Sequence, residues 1–509
     1  MSRVFGAALV GVDAIAIEVE VRISSLLPKV DIVGLPEAAV RESQTRVRAA
    51  ISAIGQRFPD RRVTVNLAPA DLRKTGVGLD LPIAVGVLAA AGAIPDSALE
   101  GVAFAGELAL DGRLRPVRGA LALALAAREA GCREVIVPRA CAQEAALAPG
   151  ITTREAASLA NVVAHLLEIE PLPRAEAPPP DTSLPAVPCL SEVRGQAGAK
   201  RALEVAAAGG HGLILCGPPG AGKTMLARRL VGLLPPLSLE HALEATRIHG
   251  AAGLTALSDP GSFRPSPLIE RRPFRAPHHS ASMAGLLGGG SPPRPGEVSL
   301  AHRGLLFLDE LPEFGRRTLE SLRQVIEDRR VMLSRARGPT VFPADFQLVA
   351  AANPCPCGWY GSTQRDCRCD EATVARYQRR LSGPLLDRID LQVRVPALSW
   401  AELEARVAGP RSDEVRGRVI AARDLQAARG VGCNAEIPDA LIDELVRATP
   451  AARRLLGKAV DQLPLSARAA RRVLRVARTI ADLEVETHVE RSSVAEALGY
   501  RSAWISDLG

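Results

Sequence analysis

Aromatic side chains make up only 3% of the 509 residues, so a base-stacking platform of the kind that grips single strands is not visible. Long apolar runs are missing as well: the stretch Leu121 to Ala127 is short and ends at Arg128, too little to span a bilayer. Met1 to Val10 lacks the charged segment and long apolar core of a secretory leader. A cytoplasmic protein is therefore expected, with no membrane partner. Charge of one sign is in mild excess, a net +7, which permits nucleic-acid binding without demanding it. Nine cysteines in such a compartment read as thiols or metal ligands rather than disulfides. The 47% hydrophobic content supports large cores, and the length suggests about three domains.

One stretch organises the rest. Gly217, Pro218, Pro219, Gly220, Ala221, Gly222, Lys223 and Thr224 fit the phosphate-loop pattern G-x-x-x-x-G-K-[ST]. A short apolar strand, Gly212 to Cys216, precedes it, and helical spacing from Met225 to Leu234 follows. Glycines let backbone N–H groups turn inward around phosphate oxygens, and the helix N-terminus adds positive potential. Lys223 is expected to reach the β- and γ-phosphates of ATP, and the Thr224 hydroxyl to ligate Mg²⁺. Downstream, the apolar run Gly304 to Leu308 ends in Asp309 and Glu310. A phosphate-loop enzyme needs one carboxylate for Mg²⁺ and one for the attacking water; Asp309 takes the first role and Glu310 the second.

The first 168 residues read as an α/β domain, with strands at 14–21, 62–67 and 134–138 and helices at 37–54, 81–91 and 121–130. Residues 169–189 are a Pro-rich linker. A nucleotide-binding domain is expected over 190–398, its alternating strands and helices implying a parallel sheet, and a helical region over 399–509.

The runs DIVGLPEAAVRES, VNLAPADLRKTGVGLDLPIAVGVLAA and GELALDGRLRPVRGALALALAAREAG resemble the proteolytic domain of Lon-type proteases. That implies an α+β fold of the ribosomal S5 domain 2-like kind. Gly78 stands at the position of that family's nucleophilic Ser, and Leu121 at that of its activating Lys. The resemblance thus implies the fold with the protease chemistry lost. Ser43 and Lys74 are left as isolated polar residues, read as surface positions.

The second domain is similar to P-loop ATPases of the AAA+ class. The resemblance implies that Val193 to Gln196 pack near the adenine, that Asn353 is the polar sensor of the γ-phosphate, that Arg388 is a finger reaching the neighbouring subunit, and that Arg468 is a second sensor in a C-terminal helical lid. More specific still are RRPFRAPHHSAS, GGGSPPRPGEVSLAHRGLLFLDELPEF, ANPCPCGWYG and SGPLLDRIDL. These look like the magnesium-chelatase-like AAA+ proteins of bacteria, the YifB/ComM group, and the likeness covers nearly the whole chain. It implies a homohexameric ring that drives DNA branch migration during natural transformation. A chelatase-type remodeller of a protein partner is the competing reading.

Two loops are candidates for sequence-independent DNA contact: the insertion Met283 to Pro295, with Gly289 near its tip, and a basic hairpin carrying Arg335 and Arg337. Cys355, Cys357, Cys367 and Cys369 form two close pairs able to enclose a tetrahedral Zn²⁺, although C-x-C is tighter than the usual knuckle. His278 and His279 are read as structural.

Overall fold

The computed structural model describes residues 1–74, 76, 78–178, 187–255, 267–335, 338–362, 364–381, 383–404, 409–462 and 465–501. Alternating apolar residues build the first sheet from β1 (Ser2–Val10), β2 (Asp13–Ser24), β3 (Lys29–Val33), β4 (Arg62–Ala68) and β5 (Val102–Phe104). After a two-residue ribbon, β6 (Glu107–Leu108) with β7 (Leu114–Arg115), β8 (Glu134–Pro138) and β9 (Thr152–Ala156) complete it. The order is β3-β4-β2-β1-β5-β8-β9. β2 runs antiparallel to β1 and β4, and the other neighbours are parallel. Period-two side chains feed two cores. Val4 and Ala8 of β1 join helices α1 (Ala38–Ala53) and α2 (Asp80–Ala90) on one face, whereas Ala7 joins α3 (Ala120–Glu129) and α4 (Ala142–Ala145) on the other. Helix α5 (Leu159–Leu166) closes the first core.

Three expectations need correction here. Ser43 and Lys74 are buried rather than on the surface: Ser43 Oγ donates to the Val40 carbonyl at 2.6 Å, and Lys74 Nζ to the Leu72 carbonyl at 2.8 Å and to that of Pro69. The linker also starts later than residue 169. Main-chain bonds from Glu155 N to Pro173 O and from Ala175 N to Thr153 O tie that segment to β9, and Leu172 enters the first core.

The second domain carries a five-stranded parallel sheet of order β11-β14-β17-β10-β18. Its strands are β10 (Leu213–Cys216), β11 (Phe274–Arg275), β14 (Leu305–Leu308), β17 (Gln347–Ala352) and β18 (Leu391–Arg394). Two hairpins interrupt the series, β12 (Gly288–Gly289) with β13 (Arg294–Pro295) and β15 (Arg330–Arg335) with β16 (Gly338–Pro343). The central strands are apolar throughout because both faces are covered. Leu213, Leu215 and Phe307 face one core, and Ile214, Leu306 and Leu308 the other. The helices of this domain are α6 (Ala197–Gly209), α7 (Lys223–Leu230), α8 (Leu239–Ala252), α9 (Met283–Leu287), α10 (Glu297–Leu300), α11 (Arg316–Asp328), α12 (Glu371–Gln378) and α13 (Gly383–Leu386).

The C-terminal region is helical: α14 (Trp400–Glu404), α15 (Ser412–Ala428), α16 (Ile442–Val446), α17 (Pro450–Gln462), α18 (Ala467–Leu483) and α19 (Arg491–Gly499). Most of it shares one core with the sheet, since α15 and α18 pack on α6, and Ala459, Leu465 and Ala469 form a small cluster of their own. The first domain is joined to the second by the buried Glu144, whose carboxylate accepts the Leu121 N–H at 3.2 Å and the Thr255 hydroxyl at 2.5 Å. No helix among the described residues is long and apolar enough to cross a membrane.

Candidate functional site

The site lies where the parallel strands end. β10 finishes at Cys216, the chain turns through Gly217 to Gly222, and α7 begins at Lys223. Gly222 caps that helix at φ +90°, a conformation that a side chain would strain. Because α7 starts there, its free N–H groups face the loop. Lys223 is buried. Its Nζ donates to the carbonyls of Gly217 at 2.7 Å and Pro218 at 2.9 Å, and to Asn353 Oδ1 at 3.0 Å. Burial lowers the Lys223 pKa, while Cys216, Asp309 and Glu310 oppose that shift.

β17, which delivers Asn353, lies between the loop strand β10 and the acidic strand β14. That order puts the amide next to Lys223 and brings the end of β14 within reach of α7. Thr224 Oγ1 donates to Asp309 Oδ2 at 2.8 Å, and Asp309 Oδ1 accepts the Glu310 N–H at 2.9 Å. Glu310 sits at φ +50°, a costly conformation for a residue with a Cβ, and its side chain is half exposed. The donor set suits a nucleoside triphosphate with Mg²⁺: a lysine and backbone amides for phosphate oxygens, a hydroxyl beside a carboxylate for the ion, and a second carboxylate beyond them. The Val193 to Gln196 segment adjoins this loop through the strand end after β18. Gln196 Nε2 donates to the Pro396 carbonyl at 2.7 Å, and the Val395 carbonyl leaves no room for a Cβ on Gly217.

Arg388 and Arg468 are placed together. Both guanidiniums bind the Glu327 carboxylate on α11. The side chain of Arg388 is 3% exposed, it also donates to the Pro384 carbonyl at 2.5 Å, and its Nε is buried without a hydrogen-bond partner. Neither Asp387 nor Asp390, the neighbours in sequence, is its partner: the carboxylate comes from 61 residues upstream. Burial lowers the Arg388 pKa, and the nearby Arg468 charge adds to this, against the pull of Glu327.

The four cysteines converge. The Sγ atoms of Cys355, Cys357 and Cys367 are 3.3 to 3.7 Å apart, and all four sulfurs including Cys369 lie within 4.8 Å of one another. Of the DNA-contact candidates, Gly289 lies on β12, and the backbone of Arg335 on β15; Arg337 lies outside the described residues. β12 packs beside β15, which brings the two hairpins together. Gly78 and the buried Leu121 leave no nucleophile–lysine pair at those two positions.

Two residues at the site have no signature in the sequence. His279, read as merely structural, places Nδ1 3.3 Å from Glu310 Oε2. Glu327 is one acidic residue among several on α11 until the fold brings two arginines to it. The helical spacing of α11 predicts its exposed face but not those partners.

Comparison with known proteins covers the whole architecture. Residues 19–141 match the family described as subunit ChlI of Mg-chelatase, residues 189–403 match magnesium chelatase, subunit ChlI, and residues 409–501 match the C-terminal part of that subunit. The competence protein ComM of Haemophilus influenzae is 44% identical over 508 residues, covering 99% of this chain and 97% of the relative. The uncharacterized protein YifB of Salmonella typhimurium is 45% identical over 505 residues, covering 97% and 96%. The uncharacterized protein YifB of Escherichia coli is 44% identical over 503 residues, covering 99% and 97%.

Proposed function

Since this chain belongs to the magnesium-chelatase-like family of ComM and YifB proteins, we propose that it is an ATP-hydrolysing AAA+ motor acting on DNA, a helicase that promotes branch migration during natural transformation. The observation that carries the reading is the convergence of Lys223, Asn353, Thr224 and Asp309 at the carboxyl ends of three adjacent parallel strands. In it Lys223 and the loop amides hold the β- and γ-phosphates. Thr224 and Asp309 hold Mg²⁺, Glu310 receives the proton of the attacking water, and Asn353 orients the γ-phosphoryl group.

The pair on Glu327 supports a ring. One carboxylate facing two guanidiniums leaves net positive charge, and the γ-phosphate of a neighbouring protomer would balance it. Arg388 acts there as the finger, with Arg468 beside it, in a homohexamer. For DNA, the adjacent hairpins offer Gly289 on β12 and the exposed Arg294 and Arg330, the arginines being cations that bind phosphates without reading bases. The competence name belongs to the ComM relative, and its process is carried over here as part of the proposal. The Lon-like first domain, without Ser or Lys at positions 78 and 121, acts in assembly or substrate contact rather than proteolysis. A cytoplasmic location belongs to the same reading.

The test is ATP turnover by the full chain with and without single-stranded or forked DNA. Stimulation is expected. A rate indifferent to both DNA forms would sink the DNA motor and favour the remodelling of a protein partner.

A further inference from the structure

The chain leaves the sheet at Asn353 and runs through a loop that returns at α12. Four cysteine sulfurs gather in that loop, at positions 355, 357, 367 and 369. A Zn²⁺ ion with bonds of about 2.3 Å holds tetrahedral thiolates about 3.8 Å apart. The observed separations of 3.3, 3.6 and 3.7 Å are close to that spacing. They are far longer than the roughly 2.05 Å of a disulfide, and all four thiols are free. The main chain is arranged to serve the sulfurs. The Cys369 N–H donates to Cys367 Sγ at 3.4 Å, the N–H groups of Trp359 and Arg368 face Cys357 Sγ, and the Gly358 N–H closes a turn on the Cys355 carbonyl at 2.9 Å. Cys355 is buried and the other three are partly covered, and four thiolates would fill a tetrahedral ion's coordination with no open position for a substrate.

The loop touches the nucleotide site at two points. Asn353 precedes Cys355 by two residues and bonds Lys223. Gly358, at φ +82°, packs so closely on the phosphate loop that a Cβ there would stand 2.4 Å from Pro219 Cδ. We propose that Cys355, Cys357, Cys367 and Cys369 bind one structural Zn²⁺, and that the metal-braced loop clamps both Pro219 and Asn353 in the ATP site. The ion orders a segment that has little apolar core of its own. Its loss releases the phosphate loop on one side and the γ-phosphate amide on the other. The clamp rests on the ATP-site reading above, whereas the metal site does not.

Elemental analysis of the full chain, purified from zinc-supplemented cells without chelators, is expected to give about one zinc per chain. Cys367→Ser and Cys369→Ser should each lose most of it, and Cys132→Ser and Cys433→Ser should retain it. Growth with cobalt reads the site without relying on variants that fold poorly: the wild type should show the visible bands of tetrahedral cobalt–thiolate coordination. Background zinc in the wild type, equal zinc in all variants, or iron with acid-labile sulfide in its place overturns the site. For the clamp, Gly358→Ala should keep its zinc and bind ATP about tenfold more weakly; unchanged ATP affinity overturns the clamp. Lys223→Ala separates the two readings. If it keeps zinc and still binds ATP like the wild type, the phosphate-loop assignment falls and the zinc site stands.

Discussion

His279 Nδ1 lies 3.3 Å from Glu310 Oε2, so an imidazole that follows β11 stands beside the carboxylate at the end of β14. The ring is itself placed, tilted by 34° against His278 with centroids 4.1 Å apart and edge-on to Phe314 at 6.5 Å. Glu310 itself has a left-handed backbone, and its side chain is half exposed. His279→Ala should therefore lower the turnover number by about ten- to a hundredfold while leaving ATP affinity intact, the effect of a displaced catalytic group. Equilibrium nucleotide binding and steady-state turnover measured on the same preparation check it; an equal loss in both would mean that His279 only supports folding.

Lys223 and Glu310 should separate binding from chemistry. Lys223→Ala removes a buried cation from the phosphate cradle and should weaken ATP binding by about ten- to a hundredfold, the size of charged hydrogen bonds. Glu310→Gln keeps the shape of the site and loses the base. It should bind ATP normally and hydrolyse it about 10²- to 10⁴-fold more slowly. Titration with a fluorescent ATP analogue alongside phosphate release distinguishes them, and a Glu310→Gln variant that turns over at the normal rate refutes the role given to that carboxylate.

Glu327 holds Arg388 and Arg468 within one chain, and the two arginines should be released from it when an adjoining protomer presents a phosphate. Arg388→Ala should then cut turnover by about 10³-fold or more, as for other fingers, with ATP still bound. Mixing supplies the decisive readout. Arg388→Ala subunits have an intact phosphate loop, and Lys223→Ala subunits an intact finger, so mixed rings should regain part of the lost turnover. If the mixture stays as inactive as its components, Arg388 does not act across an interface.

Much of this is legible in the sequence, for local reasons. The strand from 213 to 216, the loop after it and α7 are coded within one contiguous stretch, where apolar run, glycines and helix start follow each other. The strands that deliver Asp309 and Asn353 are likewise self-contained apolar runs ending in a polar residue. Pairings across the fold were not legible. Glu327 meets arginines 61 and 141 residues away, and His279 meets a carboxylate from the next strand; helical spacing says that Glu327 is exposed, not what faces it. Lys74 misled because a lysine between loops usually sits in water, yet here backbone carbonyls stand in for it. The C-terminal helices were legible as helices, but their packing was not. Their apolar stripes announce burial but not against what, and the answer is α6 and the sheet rather than each other alone.

Asp390 gives a pH prediction of definite sign. Its carboxylate is buried, accepting Arg472 Nη1 at 2.6 Å and the Gly212 N–H at 3.2 Å, with His211 Nδ1 at 3.3 Å. Burial alone would raise its pKa, but the Arg472 charge and the His211 hydrogen bond outweigh burial and lower it below the ordinary carboxylate range. A depressed native pKa means that the unfolded chain takes up the proton first. The stabilising contribution is thus fully present above the ordinary value of about 3.9 and fades as pH falls through it toward the lower native value. Asp390→Asn leaves the partly buried Arg472 beside a neutral amide and should cost about 3–5 kcal/mol near pH 7. In urea unfolding of wild type and variant across pH, the gap between them should hold from neutral pH down to about 5 and narrow below about 4. A gap that stays constant to the lowest pH at which the protein folds would mean that the Asp390 carboxylate is not the ionised partner of Arg472.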